Sequence, residues 1–224
     1  MQLFPSLLLL ISSSLFSQEL FVQEEEKNLY RSAVEYSFDE VLDNGSYTFL
    51  FEQINGIINI IGHVGSGTHL IIENRVHAFS NKNAISILKN SQINVYHNKI
   101  EKVIRIKKMS DKYDHKIIGK IDLHLPFNTN LRGTIKNSDL TISKVRGTIA
   151  INTESTDSDL NNLNGNINIT TRGGNISATE LSGEMELTVV SGDINIFDCN
   201  ANSMLTIDNG NIFINGLKGN LLSN

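Results

Sequence analysis

A column of acidic and amide side chains recurs with an 18-residue period in the C-terminal part of this chain, at Asp139, Asp157, Asn175, Asp193 and Asn211. Carboxylate and amide oxygens are ligands that Ca²⁺ prefers, so a series of cation sites is one interpretation of the column. Asp and Asn also stabilise turns, because their side chains bond to nearby backbone groups. The glycine-rich nonapeptide of calcium-binding β-rolls is absent. The column therefore favours a structural ladder of turns over a metal site.

Two pairs of carboxylates have the spacing of an acid/base pair on a strand. Asp157 and Asp159 form one pair, and Glu184 and Glu186 form the other. Residues two apart on a strand share a face, and paired carboxylates are the groups that cleave glycosidic bonds. A polysaccharide-cleaving cleft needs long loops, however, and the short 18-residue repeats leave no chain for them. We therefore predict a protein without catalytic residues and without enzymatic activity.

Metal-ligating side chains do not cluster in the sequence. The histidines all precede the repeats, at His63, His69, His77, His97, His115 and His124. Zinc needs three or four convergent ligands, and no histidine pair has the four-residue helical spacing of a metalloprotease. The sequence predicts scattered surface histidines, no metal site and no cofactor.

The 18-residue period also governs the glycines and the apolar residues. One glycine column comprises Gly147, Gly165, Gly183 and Gly219. The only cysteine, Cys199, stands in a column otherwise filled by Val and Leu, which predicts a small buried hydrophobe. Apolar residues alternate with polar ones inside each unit, which indicates half-buried strands. A fixed period of this length is typical of a solenoid, whose coils bury their apolar face by stacking on one another.

We predict an all-β fold, specifically a β-solenoid of 18-residue coils with an irregular N-terminal capping region. Residues 138–224 are the regular repeats, and residues 47–137 are an irregular β region with a short helix over 78–88 and a hairpin around Asn98. Residues 19–46 are predicted to be a leader, either loose or briefly helical. The sequence ends without an evident cap, and the exposed strand edge is open to three interpretations, namely a partner protein, end-to-end self-association or a truncated sequence.

Residues 1–18 are predicted to be a signal peptide, because a short apolar core is followed by a serine-rich cleavage region. That apolar run is too short for a transmembrane helix. The net charge of −5 and the lack of a Lys/Arg stripe in the repeats argue against nucleic acid as a partner. We predict an exported protein that is extracellular, at the cell surface or periplasmic.

Three sequence features together resemble a known family. They are the Asn-Gly corner and Ile-rich strand within Phe49 to Gly62, the Leu125-Pro126 step, and the repeated Gly-Asp-Ile or Gly-Asn-Ile coils. They resemble the bacterial "putative adhesin" family of exported β-strand-repeat proteins, which includes auto-transporter adhesin head domains. The resemblance implies a β-solenoid on or near the cell surface, and it implies no catalytic residues. Outward polar side chains of the repeats, such as Asn152, Thr170 and Ser177, can hydrogen-bond to a glycan or a protein, and one of these is the expected surface ligand. The alternatives are a periplasmic structural scaffold and a β-helical polysaccharide-active enzyme.

Overall fold

The computed structural model describes residues 21–223, and within them the chain is all-β with a single α-helix. Sixteen strands form one mixed sheet that does not close on itself. The all-β prediction is confirmed. The predicted signal peptide at residues 1–18 lies outside the described residues. No helix in the described range is long and apolar enough to cross a membrane.

The N-terminal region pairs segments that are distant in sequence. Its elements are β1 (Gln23–Glu26), β2 (Leu29–Phe38), β3 (Thr48–His63), β4 (Thr68–His77), α1 (Asn81–Asn90), β5 (Ile93–Asn98), β6 (Val103–Lys108) and β7 (Ile117–Pro126). Strands β2, β4 and β7 are antiparallel neighbours, and β7 then pairs in parallel with β3. The first half of β3 pairs in parallel with β6. Strands β5 and β6 form an antiparallel hairpin, which confirms the predicted hairpin around Asn98, and α1 confirms the predicted short helix.

The prediction of a loose or helical leader at residues 19–46 is wrong. Strands β1 and β2 occupy half of that segment, and β2 pairs with both β1 and β4. Tyr30 and Phe38 bury their rings, so β2 gains the apolar burial that stabilises a strand. Arg31 forms an ion pair with Glu73 on β4. The run of charges at 24–27 obscured this strand pattern in the sequence.

The C-terminal region pairs each strand with the strand one repeat away. Its elements are β8 (Asn130–Ser143), β9 (Arg146–Asn161), β10 (Asn164–Thr171), β11 (Ile176–Thr179), β12 (Ser182–Ser191), β13 (Ile194–Phe197), β14 (Asn200–Asn209), β15 (Ile212–Asn215) and β16 (Leu221–Ser223). Every pairing among them is parallel, and partners such as Leu131 and Ile149 or Ile169 and Leu187 are separated by one full repeat of the sequence. This register begins at Leu131, upstream of residue 138, where the sequence period becomes visible.

Strand β3 joins the two regions. Its first half pairs with the first half of β8 and its second half with the second half of β8, on either side of an irregularity between Phe51 and Gly56. The other edge of β3 is covered by β6 and β7. Consequently the first strand of the repeats does not expose an edge at this end, and the apolar core runs without a break from Phe49 to Leu205.

Candidate binding surface

The predicted Asp/Asn ladder follows the turns that precede β11, β13 and β15. The Asn175 N–H donates to Asp157 Oδ1 at 2.7 Å, and the Asp193 N–H donates to Asn175 Oδ1 at 2.9 Å. The Asn211 N–H donates to Asp193 Oδ1 at 2.8 Å. Asp139 lies in register with Asp157 at the start of the series. Each of these side chains from Asp157 to Asp193 therefore satisfies a backbone donor of the next repeat, which leaves its oxygens less free for a cation. Within residues 21–223, no group of three or more His, Cys, Asp or Glu side chains is placed to hold a metal ion.

The glycine column lies where the backbones of successive strands approach closely. A Cβ on Gly165 would lie 2.3 Å from the Gly147 carbonyl oxygen, and one on Gly183 would lie 2.4 Å from the Gly165 oxygen. Gly219 has the same relation to Ala201, at 2.4 Å. These residues also have positive φ, +125° at Gly165 and +107° at Gly183. Contact and conformation both favour glycine at these positions, whereas Ala201, in register with Gly183, is the column's one alanine and lacks a positive φ.

A second ladder, which the sequence reasoning missed, directly follows the glycine column. The Thr148 N–H donates to Asn130 Oδ1 at 2.9 Å, and the Asn220 N–H donates to Asn202 Oδ1 at 3.3 Å. Asn202 Nδ2 also donates to Glu184 Oε1 at 3.0 Å. The signal was present in the sequence, because these positions share the 18-residue spacing of the first ladder.

The two carboxylate pairs lie on different strands and make different contacts. Asp157 and Asp159 are exposed on β9, and Asp157 accepts the ladder bond described above. Glu186 accepts from Asn168 Nδ2 at 2.7 Å, and Glu184 accepts from an asparagine of the next repeat. Three of these four carboxylates therefore take part in bonds between neighbouring strands.

The cysteine is a core residue, as its column predicts. Cys199 is 1% exposed, and the Leu181 N–H donates to its Sγ at 3.3 Å. Burial raises the pKa of this thiol, which disfavours the reactive thiolate.

The prediction of scattered surface histidines is wrong for His97. Its side chain is 9% exposed, and it lies between the Glu40 carboxylate, 3.4 Å from Nδ1, and the Tyr47 hydroxyl, 3.4 Å from Nε2. Phe38 contacts the imidazole edge-on at 5.3 Å between ring centroids. Burial lowers the pKa of His97, although the Glu40 charge opposes that effect. The group ties the β5–β6 hairpin to the segment that precedes β3.

The outward polar side chains of the repeats divide between two faces. We call the outward side of β5, β6, β10, β12, β14 and the first halves of β3, β8 and β9 the front face. One row on it consists of Thr134, Asn152, Thr170, Thr188 and Thr206, each paired in register with the next. The back face carries a different row, Thr141, Asp159, Ser177, Asn195 and Phe213. The alternation of apolar and polar residues in the sequence indicates outward polar side chains, but it does not separate the two faces.

Positive charge is concentrated at the N-terminal end of the front face. We call six side chains there the basic patch, namely Leu50, Tyr96, Arg105, Lys107, Arg132 and Lys136. Glu52 lies 3.2 Å from Arg105 and 3.4 Å from Lys107, and Glu154 lies 3.3 Å from Lys136. Four cations thus face two carboxylates, a local charge of +2 (4 − 2) in a chain whose net charge is −5.

Two shallow grooves border the repeats. One, of about 690 Å³, is lined by Arg146, Thr148, Asn166 and Glu184 along the glycine column. The other, of about 560 Å³, follows the Asp/Asn ladder beside the half-exposed Ile118. Neither groove brings acidic, basic and nucleophilic side chains together in an enclosed space.

Comparisons with known proteins found distant structural similarity and no sequence match. No family model matches the sequence, and no curated protein matches it. Among solved structures, a "putative cell adhesion protein" from Clostridium sporogenes is 10% identical, covers 86% of this chain and 100% of its own, and has a TM-score of 0.37. A "putative adhesin" from Parabacteroides distasonis is 9% identical, covers 86% of this chain and 97% of its own, and has a TM-score of 0.22. Similarities this low do not establish a common fold.

Proposed function

We propose that this protein is a non-enzymatic, exported β-solenoid that acts in adhesion or in interactions at the cell envelope. The observation that carries the proposal is the constant parallel register of the repeats, which pairs residues one repeat apart from Leu131 to Ser223. Such a register aligns equivalent outward side chains in straight rows, with roughly 4.8 Å between neighbours. Rows of this kind fit an extended partner better than a small molecule.

The chemistry of the front face supports binding more than catalysis. Most of its exposed side chains are threonines, asparagines and charged residues, which hydrogen-bond to hydroxyl, amide or carboxylate groups, and Met204 on β14 is an exposed apolar exception. The carboxylates Glu184 and Glu186 are engaged by asparagines of neighbouring strands. A general acid or base needs a poised proton beside an enclosed substrate, and these two open grooves do not provide that setting.

Protease treatment of intact cells tests the proposal, with antibodies that detect residues 138–224. Surface exposure predicts that these residues are digested without cell lysis, while a cytoplasmic marker survives. Protection that persists after the outer membrane is permeabilised would contradict export altogether.

A periplasmic scaffold is the second candidate, and exposed apolar side chains favour it. Phe213, Leu221 and Leu222 on β15 and β16 are 53%, 47% and 58% exposed. Phe213 lies beside β13 and the two leucines lie beside β14, and exposed apolar groups of this kind associate with another protein surface. The protease experiment separates the two candidates, because a periplasmic scaffold becomes digestible only when the outer membrane is opened.

A further inference from the structure

We propose that the basic patch binds a linear acidic polysaccharide, which the front face holds across its strands. This inference rests on the proposed binding function and names the partner class and the residues that recognise it. It is carried by the charge, the exposure and the neighbours of the patch.

The first argument is the placement of two arginines. Arg105 on β6 and Arg132 on β8 are both in register with Leu50 on β3, one on each side. Their Cα atoms are therefore two strand spacings apart, roughly 10 Å. Both side chains are exposed, and guanidinium groups bind carboxylates and sulfates with paired hydrogen bonds.

The second argument is that the patch keeps unneutralised charge. Glu52 forms ion pairs with both Arg105 and Lys107, and Glu154 forms one with Lys136. Exposed ion pairs of this kind contribute little to folding stability, so they exchange readily for an external anion. An anionic partner is thus attracted to the patch although the net charge of the chain, −5, opposes its approach.

The third argument concerns the uncharged groups, which distinguish a polysaccharide from an acidic peptide. Tyr96 is 48% exposed beside Arg105, and its ring offers an apolar surface with a polar edge. From Thr134 a row of hydroxyl and amide side chains continues across β9 and β10. Sugars present both hydroxyl groups and apolar ring faces. Carboxylated sugars therefore match the cations, the hydroxyl and amide row and the aromatic ring of this surface.

Acidic residues of the front face also limit the length of the bound polysaccharide. Beyond β10, the row that begins at Arg132 reaches Glu186 on β12, and Glu184 lies two residues before it. Like charges repel an acidic chain, so the bound segment extends from β5 to about β10. Removing these two charges should therefore strengthen binding.

Fluorescence anisotropy with labelled oligogalacturonate, a linear chain of carboxylated sugars, tests the inference on the purified full chain. Binding should weaken roughly tenfold between about 50 and 200 mM NaCl, because a few ion contacts release counterions. The variant Arg105→Glu/Arg132→Glu should lose at least about tenfold in affinity. Glu184→Gln/Glu186→Gln should gain about twofold.

The matched control is Lys82→Glu/Lys89→Glu, two exposed residues of α1 outside the front face. It changes the net charge by the same amount as the arginine variant, so it should leave affinity within about twofold if recognition is local. Far-ultraviolet circular dichroism establishes that each variant is folded before its affinity is compared.

Four results would overturn the inference. They are no binding of oligogalacturonate, equal loss in both charge-reversal variants, equal binding of the methyl-esterified oligomer, and equal binding of polyglutamate. The last would show attraction of any polyanion rather than recognition of a sugar. The proposed function is tested by a different experiment. Protease protection on intact cells contradicts adhesion, whatever the chain binds in solution. Digestion on intact cells supports adhesion, even if oligogalacturonate does not bind.

Discussion

The N-terminal region and the repeats are held together by different kinds of interaction. Among the described residues, ten of the eleven ion pairs between Lys or Arg and a carboxylate involve only side chains before residue 123, and the pair of Lys136 and Glu154 is the one in the repeats. The repeats instead use asparagine and aspartate bonds between positions one repeat apart. In the N-terminal region, charge pairs connect segments of unrelated sequence. In the repeats, bonds between equivalent side chains connect successive repeats.

Lys108 illustrates the first kind of interaction. Its side chain is 5% exposed and bonds to Asp114 and, at 2.6 Å, to Asn55 Oδ1. Asn55 Nδ2 in turn donates to Asp114 Oδ2 at 2.9 Å. The cluster fixes the irregular middle of β3 against the end of β6, two segments that no repeat relates. A buried charge needs such partners, whereas a strand of the repeats pairs with the equivalent strand one repeat away.

The largest expected difference between the regions is the loss of stability when alanine replaces glycine. Gly165→Ala places its Cβ against the Gly147 carbonyl oxygen, 2.3 Å away, so the stacked strands must separate. We expect a loss of about 3 kcal/mol or more in the free energy of unfolding, measured by urea denaturation. Gly65→Ala, in the β3–β4 turn, meets no atom within 4 Å. Its positive φ of +100° should cost only about 1–2 kcal/mol. Equal losses would contradict close stacking at Gly165.

A smaller effect is expected for a rung of the Asp/Asn ladder. Asn175→Ala removes the acceptor of the Asp193 N–H, which should cost about 1–2 kcal/mol in the same urea experiment. Asn175→Asp retains an acceptor oxygen and should keep most of that stability. Asn195→Ala, on the back face of β13, is the matched control and should change stability by less than about 0.5 kcal/mol. If Asn175→Ala behaves like Asn195→Ala, the ladder does not stabilise the stack.

The contrast between the repeats and the N-terminal region also explains which features can be predicted from the sequence. A period makes equivalent residues recognisable, so the ladder, the glycine column and the burial of Cys199 follow from spacing alone. The basic patch has no such signal, because Arg105 and Arg132 meet only through β3, far from both in sequence. Strand β2 and the burial of His97 likewise depend on long-range contacts. Alternation of apolar residues predicts strands, but it does not say which distant strands pair.

The central claim is that the 18-residue register aligns the rows of the front face, and cysteine cross-linking tests it most directly. In a Cys199→Val background, Thr170→Cys/Thr188→Cys places two thiols on directly paired positions of β10 and β12. Thr170→Cys/Thr206→Cys separates them by two strand spacings, roughly 10 Å. A short thiol-specific cross-linker should join the first pair rapidly and the second pair much more slowly. Equal rates, or faster reaction of the second pair, would contradict the register on which the binding surface depends.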